Sequence, residues 1–124
     1  MKGHLYNLIA SLKNGQIVKK GFILHEKKRI CEDLLNILWD EGFILGYTLF
    51  SYKNKLKVYL KYRNGNPVIK TIQLVSKPSL RIYYSAKKVW KLKGFIILTT
   101  NQGLKTLNEC KKLNIGGEPL VVIT

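Results

Sequence analysis

The chain is poor in the side chains that carry out covalent chemistry. Among 124 residues there are two histidines, two cysteines and seven acids. General acid–base work needs a poised carboxylate or imidazole, and a nucleophile needs a base within reach. His4 stands at the N-terminus, and Glu26, Glu32, Asp33, Asp40 and Glu41 gather on or beside one helix-like segment, where they offset its cations. A metal-dependent nuclease, which requires converging carboxylates, has none to use, so catalytic residues are expected to be absent. Cys31 and Cys110 lie far apart, without the second Cys or His in sequence that a zinc knuckle requires. Both are expected as reduced core thiols, and no metal or cofactor is expected. No apolar run approaches a membrane span. Met1-Lys2-Gly3-His4 leads directly into a helical pattern, so no signal or transit peptide is expected. Neither a membrane nor a small-molecule substrate is expected as partner.

Cations are what the chain has in excess. Lys and Arg number 22, for a net charge of +15. Twelve cations and five acids precede Asn66, and ten cations and two acids follow, so the surplus runs through the whole chain. Compacting so much like charge costs self-repulsion, which a polyanion removes when Lys and Arg displace its condensed counterions. With a hydrophobic fraction of 46%, the chain has the means to bury a core. A folded nucleic-acid-binding protein is the class these quantities favour.

The apolar pattern predicts an α+β protein of two small lobes. Residues 1–66 form an N-terminal lobe of two helices packed on a short sheet, and residues 67–124 form a mainly β lobe with one short helix. Leu5, Leu8, Ile9 and Leu12 mark the first helix, with Asn14-Gly15 as its stop, and a partly extended stretch follows over 17–24. Ile30, Leu34, Ile37 and Leu38 mark a second helix over 27–41, ended by Gly42. Leu56, Val58, Leu60 and Tyr62 alternate with Lys57, Tyr59 and Lys61, a strand with one dry and one basic face. Residues 43–50 should pair with it across 51–54. Arg63-Asn64-Gly65-Asn66-Pro67 is a turn signal beside the lobe boundary. Beyond it, short strands are expected over 68–75, 80–84, 94–99 and 119–123. Thr106 and Glu109 have capping-box spacing, opening a helix that turns Leu107, Cys110 and Leu113 inward.

The second lobe holds the more specific binding signals. Ser76-Lys77-Pro78-Ser79 is a rigid loop with small hydroxyls and a cation, and Thr99-Thr100-Asn101-Gln102-Gly103 ends a buried strand in a polar loop. Such side chains permit close backbone approach to a sugar–phosphate edge and bond to phosphate, 2′-OH or base edges. Gly116-Gly117 follows a helix and precedes a strand, the reverse of phosphate-loop order.

Taken in order, these motifs resemble the small-subunit ribosomal protein number eight family of bacterial and organellar type, over essentially the whole chain. Leu5–Gln16 is similar to the family's opening helix, and Asp40-Glu41-Gly42-Phe43-Ile44 to its Glu-Gly-Phe-Ile junction. Residues 72–83 resemble the centre, Ser-[Lys/Arg]-Pro-Gly-Leu-Arg-Ile-Tyr. Residues 98–106 resemble the Ser-Thr-Ser-x-Gly-x-Met-Thr loop, and Gly116-Gly117-Glu118 the closing Gly-Gly-Glu. The resemblance implies a non-catalytic constituent of the small ribosomal subunit. It would bind the central domain of small-subunit ribosomal RNA early in assembly, beside neighbouring small-subunit proteins, and organise the platform. It carries RNA-binding roles to Thr99, Thr100, Asn101, Gly103, Gly116, Gly117 and Glu118, and more weakly to Lys77, Pro78 and Arg81. A free RNA chaperone or translational repressor of the same fold is the alternative. The chain departs from the pattern with Thr99-Thr100-Asn101 for Ser-Thr-Ser, Ser79 for Gly, and a Val121-Val122-Ile123-Thr124 terminus in place of aromatics. With the abundance of Lys, Asn, Ile, Leu and Tyr typical of AT-rich coding DNA, these departures suggest a mitochondrial ribosome, with a bacterial or plastid one as alternative.

Overall fold

A computed structural model describes residues 2–50, 54–75 and 83–124. It is α+β and divides into two compact units, Met1–Lys70 and Thr71–Thr124.

In the first unit, α1 (Lys2–Ile17) and α2 (Arg29–Asp40) pack on a three-stranded antiparallel sheet of β1 (Phe22–Glu26), β2 (Ile44–Phe50) and β3 (Lys55–Leu60), in the order β1-β3-β2. Leu5, Leu8, Ile9 and Leu12 are buried, as their spacing requires. Asn14-Gly15 does not stop α1, which continues to Ile17. Gly15 is instead a point of close packing: a Cβ there would stand 2.7 Å from Ile23 Cγ2 and 3.1 Å from Leu60 Cδ1. The reversal comes later, where Lys19 takes a left-handed φ of 55° and Lys20 N–H reaches back to the Gly15 carbonyl at 2.9 Å. Residues 17–21 therefore belong to the helix end and a turn, and the strand begins only at Phe22.

The buried stripe of α2 is Cys31, Leu34, Leu35 and Leu38, while Ile30 and Ile37 are half-buried. The expected stripe was rotated about one position off the true centre, because Cys31 counts as a small hydrophobe. Gly42 ends α2 as expected, with φ 79°, and Phe43 N–H bonds to the Leu38 carbonyl at 2.8 Å. Residues 43–50 do pair with 55–60, from Ile44↔Leu60 to Phe50↔Lys55. Leu56, Val58 and Leu60 face the helices. The opposite face is not simply basic: Phe22 and Leu24 lie across from Tyr59 and Lys57, and the Lys57 ammonium sits 4.2 Å from the Phe22 ring centroid. The alternation in β3 shows only its own side chains, so the rings brought by β1 were out of view. Asn64-Gly65 turns a short hairpin of β4 (Tyr62–Arg63) and β5 (Asn66–Pro67).

The second unit is a four-stranded antiparallel sheet of β6 (Ile72–Leu74), β7 (Phe95–Thr100), β8 (Gly103–Thr106) and β9 (Glu118–Ile123), in the order β6-β9-β7-β8. Thr71 and Thr124 bond to each other through backbone and hydroxyls at its margin. A single turn, α3 (Ala86–Val89), and the helix α4 (Leu107–Leu113) cover one face. There Val89, Leu107 and Cys110 meet Ile96 and Leu98. The capping box is present: Glu109 N–H donates to Thr106 Oγ1 at 3.2 Å, and Thr106 N–H to Glu109 Oε1 at 3.1 Å. Leu113 does not turn inward. It is 50% exposed, because Asn114 adopts a left-handed φ of 56° and sends the chain back so that Ile115 packs against the cluster instead.

Candidate nucleic-acid interface

The hydroxyl-rich segment is the tip of a hairpin. Thr100 pairs with Gly103, leaving Asn101-Gln102 as a two-residue loop between β7 and β8. Gly103 takes φ 99°, a conformation in which a side chain would be strained. Thr100 is buried (8% exposed) and fully engaged in the turn: its hydroxyl donates to the Gly103 carbonyl at 2.8 Å and accepts from Gln102 N–H at 3.1 Å. Thr99, Asn101 and Gln102 are exposed. The hairpin therefore presents Thr99 and Asn101, while Thr100 sets its shape.

The Gly-Gly-Glu segment lies directly beside it. Glu118 is the cross-strand partner of Thr99, on β9 and β7. A Cβ on Gly117 would lie 2.8 Å from the Thr99 carbonyl oxygen and 2.9 Å from Thr100 Cγ2. One on Gly116 would overlap the Tyr84 carbonyl oxygen and crowd Ala86 N at 3.1 Å. Gly117 and Tyr84 exchange a pair of backbone hydrogen bonds of 2.9 and 2.8 Å. The two glycines are thus the places where three segments of backbone meet without side chains between them. The fold thus brings Thr99, Thr100, Asn101 and Gly103 beside Gly116, Gly117 and Glu118, with Thr99, Asn101 and Gly103 exposed, Gly116 and Glu118 half-buried, and Thr100 and Gly117 buried. Lys77, Pro78 and Arg81 lie outside the described residues.

Chemically, the residues brought together here offer hydroxyl, amide and backbone groups and the Glu118 carboxylate, with no imidazole or thiol among them. One cluster of reactive groups was missed by the sequence reading, which found no His near Cys31. The fold places Cys31 Sγ 3.5 Å from His25 Nε2 and 3.7 Å from the His4 carbonyl oxygen, with the thiol donating to that carbonyl. The six-residue separation of His25 and Cys31 spans the turn from β1 into α2, and only their shared burial identifies them as neighbours. Burial pushes the Cys31 thiol up to about 11, reinforced by the Glu26 charge, and it lowers the His25 pKa below its ordinary value. Both shifts favour the neutral pair over a thiolate–imidazolium, the opposite of what an activated nucleophile needs. Cys110 is likewise buried, with its pKa raised by desolvation. A groove beside α1 and β1 is lined by Ser11, Asn14, Gly15, Val18, Lys20 and the start of β1, a set without carboxylate, imidazole or thiol. Among the described residues no group of His, Cys, Asp and Glu could hold a metal ion, and no helix is long and apolar enough to cross a membrane.

Comparison with known proteins concerns the chain as a whole. The family model described as Ribosomal protein S8 matches residues 4–123. The chain is 38% identical over 122 residues to the small ribosomal subunit protein uS8 of Alcanivorax borkumensis, covering 95% of this chain and 94% of that protein. It is 35% identical over 123 residues to its counterpart in Azorhizobium caulinodans, covering 94% and 93%. It is 32% identical over 124 residues to the small ribosomal subunit protein uS8m of Acanthamoeba castellanii, covering 96% and 97%. With a match that leaves only a few terminal residues aside, and relatives above 30% identity over nearly their full length, the chain belongs to the ribosomal protein S8 family.

Proposed function

We propose that the chain is a structural, non-catalytic constituent of the small ribosomal subunit. It binds the central domain of small-subunit ribosomal RNA through the second unit and helps assemble the platform. The observation that carries this reading is the convergence of the Thr99–Gly103 hairpin with Gly116–Glu118, which sets the exposed Thr99 and Asn101 on a body with a net charge of +15. Affinity and recognition have different sources. Lys and Arg give a salt-sensitive attraction to phosphates. Thr99 and Asn101 read a distorted RNA helix through shape, 2′-OH groups and base edges. Gly103, exposed and with open space where a Cβ would stand, lets the RNA backbone approach, while Gly116, Gly117 and Thr100 hold the hairpin against its neighbours. In this proposal Lys77, Pro78 and Arg81 also contact the RNA. By fixing the angle between RNA helices, binding contributes to assembly beside neighbouring small-subunit proteins.

We place the protein in a mitochondrial ribosome. The support is a composition typical of AT-rich coding DNA and the departures at residues 79, 99–101 and 121–124. The test is co-sedimentation with small ribosomal subunits from fractionated cells, with binding of the purified chain to central-domain RNA in parallel. Binding without co-sedimentation would point to a free RNA chaperone or repressor of the same fold.

A further inference from the structure

Borne by the helical layer of the second unit is a surface that no part of the proposed binding uses. Trp90 follows α3 and is 57% exposed, an unusual position for the largest apolar side chain. Lys87, Lys88, Lys91 and Lys93 come from the same stretch, and Lys111 and Lys112 from the last turn of α4, which packs against α3. The segment from Tyr83 to Gly94 contains no acid, and the one acid of α4, Glu109, is tied into its capping box. Two of these lysines are organised around rings. Lys111 Nζ is held by the Leu92 carbonyl at 3.0 Å and lies 5.9 Å from the Trp90 ring centroid. Lys88 Nζ lies 5.7 Å from the centroid of Tyr84.

We propose that Trp90 and the lysines around it form a second RNA contact, in which the indole stacks on an unpaired base while the ammonium groups hold the flanking phosphates. The proposal rests on the RNA-binding reading above and adds a surface to it. Six cations on a segment that has no acid and a helix whose one acid is held in its capping box call for a polyanion, and an exposed indole offers a plane on which any base can stack. A protein partner fits less well. Protein interfaces are depleted of lysine and have an apolar centre, whereas this surface has lysines throughout, among its exposed Tyr83, Trp90 and Leu113.

The chain has two tryptophans, so Trp39→Phe leaves Trp90 as the sole indole reporter. Titrating this full-length variant with a central-domain small-subunit RNA fragment should quench Trp90 emission at saturation. Trp90→Ala should weaken binding about tenfold, within the range for losing one base–aromatic stack, and Trp90→Phe should restore most of it. Exchanging Lys87, Lys88 and Lys91 together for Gln should flatten the slope of log affinity against log salt by about two units. Circular dichroism and the urea midpoint confirm that the variants fold. Full affinity with unquenched Trp90 would overturn the proposal. So would a Trp90→Ala variant that binds RNA normally but fails to join other small-subunit proteins, which would assign the surface to an acidic protein. If Thr99→Ala/Asn101→Ala loses cognate binding while the Trp90 variants are silent, this inference fails and the main reading stands. If the wild-type chain binds no RNA, both fail.

Discussion

Replacing Gly117 with Ala isolates the steric requirement at the centre of the proposed site. Gly117 does not have a positive φ, so alanine meets no backbone penalty there, and any effect comes from the added methyl. That methyl would lie 2.8 Å from the Thr99 carbonyl oxygen, 2.9 Å from Thr100 Cγ2 and 3.3 Å from Leu98 Cβ. Two of these neighbours are fixed by strand pairing between β7 and β9, so the methyl cannot be accommodated by swinging one flexible side-chain end aside. Overpacking of this kind costs about 1–3 kcal/mol. The strands must also separate near Gly117, where Tyr84 and Gly117 exchange two hydrogen bonds, each contributing about 1 kcal/mol. A loss of about 2–3 kcal/mol is therefore expected. The assay is urea denaturation of the second unit, followed by the near-ultraviolet signal of Trp90 in a Trp39→Phe background. Gly21→Ala is the control, since a Cβ at Gly21 meets nothing within 4 Å. A Gly117→Ala midpoint equal to that of Gly21→Ala would refute the claim that backbone contact at this point requires a glycine.

Further outcomes follow from other residues. Lys19→Gly should stabilise the first unit by about 0.5–1 kcal/mol, because Lys19 ends α1 in a left-handed conformation that costs a side chain about 1 kcal/mol; equilibrium unfolding measures it, and a loss would contradict the assignment. His25 has a lowered pKa because it is buried, so the folded state resists protonation more than the unfolded one. Its contribution is complete above the ordinary value of 6.5 and is lost as pH falls from there through the lowered value. The drop in urea midpoint between about pH 7.5 and 5.5 should shrink in His25→Gln, and an unchanged drop would remove His25 as its cause. Thr100→Ala should cost about 1 kcal/mol in stability as well as RNA affinity, whereas Asn101→Ala should cost affinity alone; equal stability losses would show that the division of roles is wrong.

The α+β class and most elements were legible because the apolar spacing is strong in α1 and β3 and the punctuation is local. Gly42, Asn64-Gly65 and the Thr106–Glu109 capping box each act within a few residues of themselves. What could not be read depends on packing across the chain. Asn14-Gly15 has the sequence of a helix stop, yet Gly15 serves the approach of Ile23 and Leu60. The strand β8 is four residues long and turns on Asn101-Gln102, without the Asn-Gly signal that marks a tight hairpin. The candidate site residues could be named from their motif, but not the distinction between the engaged Thr100 hydroxyl and the exposed Thr99 and Asn101. Nor does any local pattern bring Cys31 to His25, or Lys111 to Trp90; these pairs exist only once helices are docked.

The most direct test of the central claim is a competition binding measurement on the purified chain, with central-domain small-subunit RNA set against a shuffled RNA of equal length over a range of salt. Nonspecific phosphate attraction fades as salt rises, so the account predicts that central-domain RNA remains bound where the shuffled RNA has been released, and that Thr99→Ala/Asn101→Ala removes this difference. Parallel loss of both RNAs from the wild-type chain would contradict it.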